Sequence, residues 1–302
     1  MIRVICTCIL CIVYFSSYSQ YSLNLNNQYT DSISYDTDKK KKNILFITQG
    51  TLYTTVLIGL DRLWYADYPR SRFHFINDNM EWNQMDKLGH ATASYHIGLV
   101  GIKSYKWAGI SRKRAIWYGG LSGSVFLTAV EILDGFSEEW GASSGDLIAN
   151  SFGSALAISQ ELIWDQQKIQ LKYSYSPSKW ANQNPDLLGN SHLERALKDY
   201  NGQNYWLSFN IKSLFYIENN QFPEWLAFSL GYGADGMING YPEGDDLERN
   251  RQYLFSLDLD LNRIKTKNKL LNNIIHTFGF LKLPFPAIEF CNGKFYSHLI
   301  YY

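Results

Sequence analysis

Ile169-Gln170-Leu171-Lys172-Tyr173-Ser174-Tyr175 marks the point at which the periodicity of the chain changes. Apolar and polar side chains alternate there, which places Ile169, Leu171, Tyr173 and Tyr175 on one face of an extended strand. The same period of two recurs in Leu207 to Lys212 and in Leu226 to Gly233. It is cleanest in Tyr253 to Asn262, where Tyr253, Phe255, Leu257, Leu259 and Leu261 alternate with Ser256, Asp258, Asp260 and Asn262. Five or six such strands fall in residues 166–302. A helical segment near Leu270 to Phe278 interrupts them, and Pro284-Phe285-Pro286 marks an extended turn or edge segment. An antiparallel sheet packed on what precedes it, or an open half-barrel, is the architecture these strands predict.

Upstream of Trp164 the texture is helical. Four uncharged stretches, Ile44 to Leu60, Leu88 to Ile102, Ala115 to Val130 and Leu147 to Gln160, run fourteen to seventeen residues each. Each is near or under the length a bilayer span needs and carries Gly, Ser, Thr or His, which favours four helices packed on one another. Gly119 with Gly123, and Gly153 with Ala157, give the small-xxx-small spacing that lets helix backbones approach closely, in membrane and in soluble bundles alike. The fold class read from the sequence is α+β, an N-terminal bundle of about four short helices followed by an antiparallel β-rich half.

The chain of 302 residues balances 28 Lys+Arg against 28 Asp+Glu, so no basic surface for nucleic acid is expected. With 46% hydrophobic residues it has enough apolar side chain for one sizeable core or two small ones, which excludes disorder over most of its length. A mean hydropathy of −0.24 argues against an ordinary polytopic carrier. Arg3, the apolar run Val4 to Phe15 and Ser17-Tyr18-Ser19 before Gln20 form the n-region, h-region and small-x-small site of a secretory signal peptide, residues 1–19. Cleavage after Ser19 leaves Cys291 as the one cysteine of the mature chain, so no disulfide within it is possible. Residues 20–43 form a polar arm ending in four lysines, 44–165 a helical domain and 166–302 a β-rich domain. A first membrane span at Ile44 would want those lysines in the cytoplasm, which conflicts with a cleaved signal; the bundle is therefore expected in the periplasm, or apposed to a membrane through part of its apolar surface. The strands that alternate large apolar with small or polar residues, and the terminal Tyr301-Tyr302, resemble segments of outer-membrane barrels, but a closed barrel needs at least eight strands.

The candidate chemistry lies in the helical half. Asp86 and His90 sit at i and i+4, so they share a helix face and suit one divalent metal or one proton transfer; Asp86 also reads as an N-cap. Glu131 and Asp134 follow an uncharged helix and need solvent or a partner, for which Lys87 or His90 is available. Gly141 to Gly145 form a small-residue loop before Asp146, Asn150 and Gly153, which share a face of the fourth helix; Asp146 again reads as an N-cap. The acidic cluster Glu243 to Glu248 lacks the ligand spacing of a calcium loop and reads as a solvated turn. No phosphate loop, nucleophile elbow, His-Glu-x-x-His or cysteine metal site is present in the sequence.

The ordered set Asp86-x-x-x-His90, Glu131-x-x-Asp134 and Asp146-x-x-x-Asn150-x-x-Gly153 resembles the YfiM-like family of predicted periplasmic lipoproteins of unknown function and, more distantly, the VanZ-like membrane proteins. The resemblance covers about residues 80–160 and implies a compact helical domain in the cell envelope, with no established reaction. VanZ-like proteins add a hint toward the cell wall or lipids. The chain departs from the pattern in lacking the lipoprotein cysteine, and its β-rich half lies outside the motif. Three functions are expected from this reading: an envelope protein at the periplasmic side of the outer membrane, in which these residues and Lys87 form a polar network; a hydrolase using them as metal ligands or as acid and base on a lipid-linked or cell-wall substrate; and an outer-membrane barrel-like protein. Membrane or envelope components are the expected partners, a divalent metal is a candidate cofactor, and the oligomeric state is left open.

Overall fold

The computed structural model describes residues 39–65, 68–242 and 247–302. The signal peptide, most of the polar arm and the core of the acidic cluster at 243–246 lie outside the described residues. The chain divides into two units, residues 1–78 with 93–166, and residues 79–92 with 167–302. An α+β fold with an open antiparallel sheet is what the period switch predicts and what the molecule has.

The first unit is helical. Helix α1 spans Lys39–Leu60, so the tetralysine forms its first turn rather than a separate arm. Helix α2, Met85–Trp107, enters this unit from Ala93 onward. Helix α3 runs Arg112–Gly135 with one π-helical stretch at Ala115–Gly119, and α4 runs Ser144–Ile163. All four predicted helices are present, each longer than its uncharged stretch because charged and polar residues extend the ends. Two of them, α1 and α3, are long and apolar enough to cross a membrane by length and composition, whereas the sequence reading held every stretch near or below that limit. α3 is substantially buried in its unit; α1 exposes Phe46, Ile47 and Ile58 and buries Leu45.

The glycine spacing has the predicted consequence. A Cβ at Gly123 would collide with the Ser94 carbonyl, and one at Gly101 with the Gly119 carbonyl, so α2 and α3 touch backbone to backbone. Two-residue strands β1 (Phe75–Ile76) and β2 (Ala142–Ser143) pair in parallel, Phe75 with Ala142 and Ile76 with Ser143, and bring the loop before α4 against the segment after α1.

The second unit is one six-stranded antiparallel sheet in sequential order: β3 (Ile169–Tyr175), β4 (Gln203–Asn210), β5 (Leu226–Asp235), β6 (Asn250–Leu259), β7 (Phe285–Cys291) and β8 (Lys294–Tyr301). Helix α5, Lys269–Thr277, stands in the β6–β7 connection at the predicted place. Pro286 lies inside β7, an internal strand and not the turn or edge segment expected, at the register shift between Phe285 and Ala287 that accommodates a residue without a backbone N–H.

The strands are polar inside. Lys172, Ser208, Ser229, Ser256 and Asp258 are buried, while Leu230, Phe255 and Leu257 are exposed. Asp258 accepts hydrogen bonds from Lys172 Nζ at 2.8 Å, Ser208 Oγ at 2.6 Å and Ser229 Oγ at 2.9 Å. Lys282 Nζ stands 4.0 Å from the same carboxylate, donates to Ser256 Oγ and the Leu283 carbonyl, and lies 5.0 Å from the centre of the Trp206 ring. Lys172 and Asp258 belong to strands three ladder steps apart, roughly 14 Å on a flat sheet. Their contact therefore requires a strongly curled sheet whose polar face is concave. Gly231 on β5 admits that curl, since a Cβ there would run into the Trp206 ring.

Candidate functional site

In the first unit the sequence-predicted residues gather around Ser143. This residue, not Asp146, is the N-cap of α4: its Oγ accepts from the Asp146 backbone N–H at 3.2 Å, which puts Asp146 at the third helical position. The Ser143 hydroxyl donates to Asp78 Oδ1 at 2.5 Å, and its backbone N–H donates to Glu131 Oε2 at 2.9 Å. Glu131, Asp146, Ser143 and Asp78 are all buried. The Glu131 carboxylate thus holds the end of β2, and through it the start of α4. Asp134 sits one turn further along α3 and accepts from the Tyr65 hydroxyl at 2.5 Å. Burial, reinforced by the Asp134 carboxylate, pushes the Tyr65 hydroxyl far above its ordinary pKa, so it stays a donor at every physiological pH.

Asn150 is fully buried on α4. Its backbone carbonyl accepts from Ser94 Oγ at 2.6 Å and from Ser124 Oγ at 2.7 Å, and Ser124 also donates to Ser154 Oγ at 2.8 Å. Two serines, from α2 and α3, therefore meet at one carbonyl of α4, and Ser154 of α4 hydrogen-bonds with both of them. The sequence reading missed Asp78, Ser143 and this trio. For Ser143 the signal was present, because Ser-x-x-Asp before an apolar helix is a capping-box pattern.

In the second unit Asp86 and Lys87 lie in the first turn of α2 and His90 one turn on. Asp86 is not an N-cap but a helical residue. Its carboxylate accepts from the Tyr200 hydroxyl at 2.6 Å and from Lys87 Nζ at 3.2 Å, with His90 Nε2 at 3.9 Å. Burial works to raise its pKa, but His90, Lys87 and the Tyr200 hydroxyl outweigh it and hold the carboxyl below its ordinary value. Tyr200 gave no signal in the sequence, being 114 residues away.

The backbone entering this turn is strained. Trp82, Asn83 and Gln84 have φ of 47°, 50° and 66°, three successive non-glycine residues in the left-handed region, each costing about 1–3 kcal/mol. The sheet holds them there. Tyr232 donates its hydroxyl to the Asn83 carbonyl at 2.7 Å, Arg251 donates to the same carbonyl at 3.2 Å and to Gln84 Oε1 at 2.6 Å, and the Trp82 N–H reaches the Gly240 carbonyl at 2.9 Å. Beneath them Met85 packs fully buried against Tyr205, Ala234 and Met237. The strain is offset by this packing, and its effect is to fix the direction in which Asp86 and His90 leave the helix.

Chemically, the Ser143 cluster orders backbone, whereas Asp86, His90 and Tyr200 form a set of oxygen and nitrogen atoms suited to passing a proton or contributing two donors to a metal. Residues 74–161 match the model of a family described as predicted periplasmic lipoprotein (DUF2279), a stretch that contains Asp86, His90, Glu131, Asp134, Asp146 and Asn150 but not Tyr65 or Tyr200. That description supports export to the periplasm and an envelope setting. No curated protein and no solved structure matches the chain.

Proposed function

We propose that this is an envelope protein at the periplasmic side of the outer membrane whose polar constellation is a scaffold rather than a reaction centre. The observation that carries the reading is Ser143: its hydroxyl caps α4 and donates to Asp78 while its backbone N–H donates to Glu131, so these two carboxylates are engaged in holding the start of the helix. The YfiM-like and VanZ-like resemblance of the ordered Asp86 to Gly153 pattern agrees with such a role, since it brings no reaction with it. A second reading rests on Asp86 and His90, whose spacing suits a divalent metal or a general acid and base acting on a lipid-linked or cell-wall substrate.

Metal content and metal-dependent thermal shift, measured on the purified chain and on His90→Ala, separate the two. The scaffold reading expects no stoichiometric metal and an unchanged melting temperature on adding zinc, manganese or magnesium. Stoichiometric metal that is lost in His90→Ala overturns it in favour of the enzyme.

A further inference from the structure

We infer that the convex face of strands β5–β8, together with helix α5, seats on the acyl chains of a phospholipid bilayer. This deepens the envelope reading by naming the surface that meets the membrane, and it rests on that reading for the bilayer's presence.

The first observation is the inverted polarity of the sheet. On the outward rows Leu230, Phe255, Leu257, Ile288, Phe290 and Phe295 are between 39% and 75% exposed, whereas Lys172 and Asp258 on the inward rows are 0% exposed. The strand register sets two apolar rows side by side: Leu230 pairs with Phe255 and Phe255 with Ile288 in one, and Tyr253 pairs with Phe290 and Phe290 with Phe295 in the next. A sheet with one face in water turns its charges outward. Apolar outside and charged inside is the arrangement lipid surroundings select.

The second observation is independent. Helix α5 also has its sides reversed, with Leu270, Leu271 and Ile274 exposed. Two of its polar residues face the protein, where Asn272 accepts from the Thr266 N–H at 2.6 Å and His276 Nε2 lies 3.2 Å from the Ile264 carbonyl. An amphipathic helix that presents its apolar side outward is built to lie in a membrane interface. The antiparallel order puts the α5 connection at the same end of the sheet as the β4–β5 connection, which exposes Phe215, Tyr216 and Trp225. Aromatic residues with a polar edge collect at the headgroup level, so this end forms a rim.

Curvature decides between lipid and a second copy. Sheets that stack face to face need matched surfaces about 10 Å apart. The curl demanded by the Lys172–Asp258 contact makes the apolar face convex, and two convex faces meet only along a line. Fluid acyl chains conform to it. Among the described residues no strand pairs with the outer edge of β8, and open edges are not tolerated in hydrocarbon, so the sheet lies face-on in one leaflet and not as a wall across the bilayer.

The test uses the mature chain from Gln20 onward, with Cys291→Ser, mixed with vesicles of phosphatidylethanolamine and phosphatidylglycerol. An environment-sensitive fluorophore is attached in turn at Leu257→Cys, Ile288→Cys and Ile274→Cys, with Lys294→Cys at the start of β8 as control. Labels at the first three sites are expected to be quenched by lipids brominated on their acyl chains and shielded from iodide, and the Lys294 label to behave in reverse. Convex-face labels open to iodide in a chain that floats with the vesicles overturn this inference and leave the envelope reading standing. Labels shielded from iodide without any bromolipid quenching overturn it in favour of a second copy or another protein. A chain that does not float overturns it and counts against the membrane position as well. Phe255→Asp, checked for folding by near-ultraviolet circular dichroism, is expected to lower vesicle partitioning roughly tenfold or more; unchanged partitioning of the folded variant also overturns the inference.

Discussion

Lys282→Met separates the two buried lysines of the sheet. Asp258 already has a close cationic partner in Lys172, so Lys282, at 4.0 Å, is the surplus charge of the group. Burial lowers its pKa from 10.5 to about 8; the Asp258 carboxylate opposes the shift and Lys172 adds to it. The unfolded chain keeps this proton up to its ordinary value while the folded chain releases it near pH 8, so between those limits the unfolded state binds more protons. The contribution of Lys282 to stability is therefore fully present above 10.5 and is lost as pH falls to about 8. At about 1.4 kcal/mol per pH unit, going from about pH 7.5 to about pH 9.5 gains about 2 kcal/mol from this group alone. The tyrosines and Cys291, whose pKa values burial raises, give the opposite slope toward the alkaline end, so the quantity to read is wild type minus Lys282→Met. Methionine keeps an apolar stem against Trp206 and leaves Asp258 its bonds to Lys172, Ser208 and Ser229, so the variant is expected to be at least as stable as wild type near neutral pH. Urea unfolding in mild detergent, followed by tryptophan fluorescence at several pH values, measures the difference. Parallel pH profiles for the two proteins would refute the reasoning, because they would mean that Lys282 is charged in both states throughout.

Ser143→Ala removes the α4 cap and the Asp78 partner together, and a loss of about 1–2 kcal/mol in chemical denaturation is expected, with Thr restoring most of it. Gly123→Ala drives a methyl into the Ser94 carbonyl, which is backbone and cannot rotate away; a loss of about 1–3 kcal/mol follows, and a melting temperature within a degree of wild type would contradict the close helix contact. Asp86 has a lowered folded pKa, so its contribution is intact above the ordinary carboxylate value and disappears as pH falls through the lower folded value. Asp86→Asn should flatten that acid limb of the melting-temperature profile, and an unaltered limb would assign the acid sensitivity to another group.

Much of this architecture was legible because periodicity is a local property. The switch after Trp164 separates helices from strands, and the β3 pattern coincides with the strand observed, Ile169–Tyr175. Alternation also told that each strand has two unlike faces. It did not tell which face is inside, since Lys172 and Asp258 alternate with apolar neighbours identically whether water lies on their side or on the other. That choice is made by the curl of the whole sheet. The candidate residues were legible by type, but their partners were not: Tyr65, Asp78 and Tyr200 are set by tertiary contact. Ser143 was overshadowed by the more conspicuous Asp146, although a serine three residues earlier caps the helix equally well. Strands β1 and β2, two residues each, are too short to carry a period.

The entry turn at Trp82 to Gln84 has a consequence for the order in which the chain assembles. Its clamps are Tyr232 and Arg251, 149 and 168 residues further along, and the Asp86 partner Tyr200 is 114 residues away. Residues 79–92 belong to the sheet's unit, yet the chain passes through the rest of the helical unit before a single strand of that sheet has been made. Three left-handed residues without their clamps relax to ordinary backbone, and Met85 without Tyr205 faces solvent. During synthesis and export this segment therefore waits, apolar and unclamped, while the strands that will hold it are still to emerge. Non-local pairing of this kind folds slowly and leaves surface open to aggregation in the interval. A fragment ending near Trp164 would keep Asp86 and His90 in sequence while losing the structure that aims them.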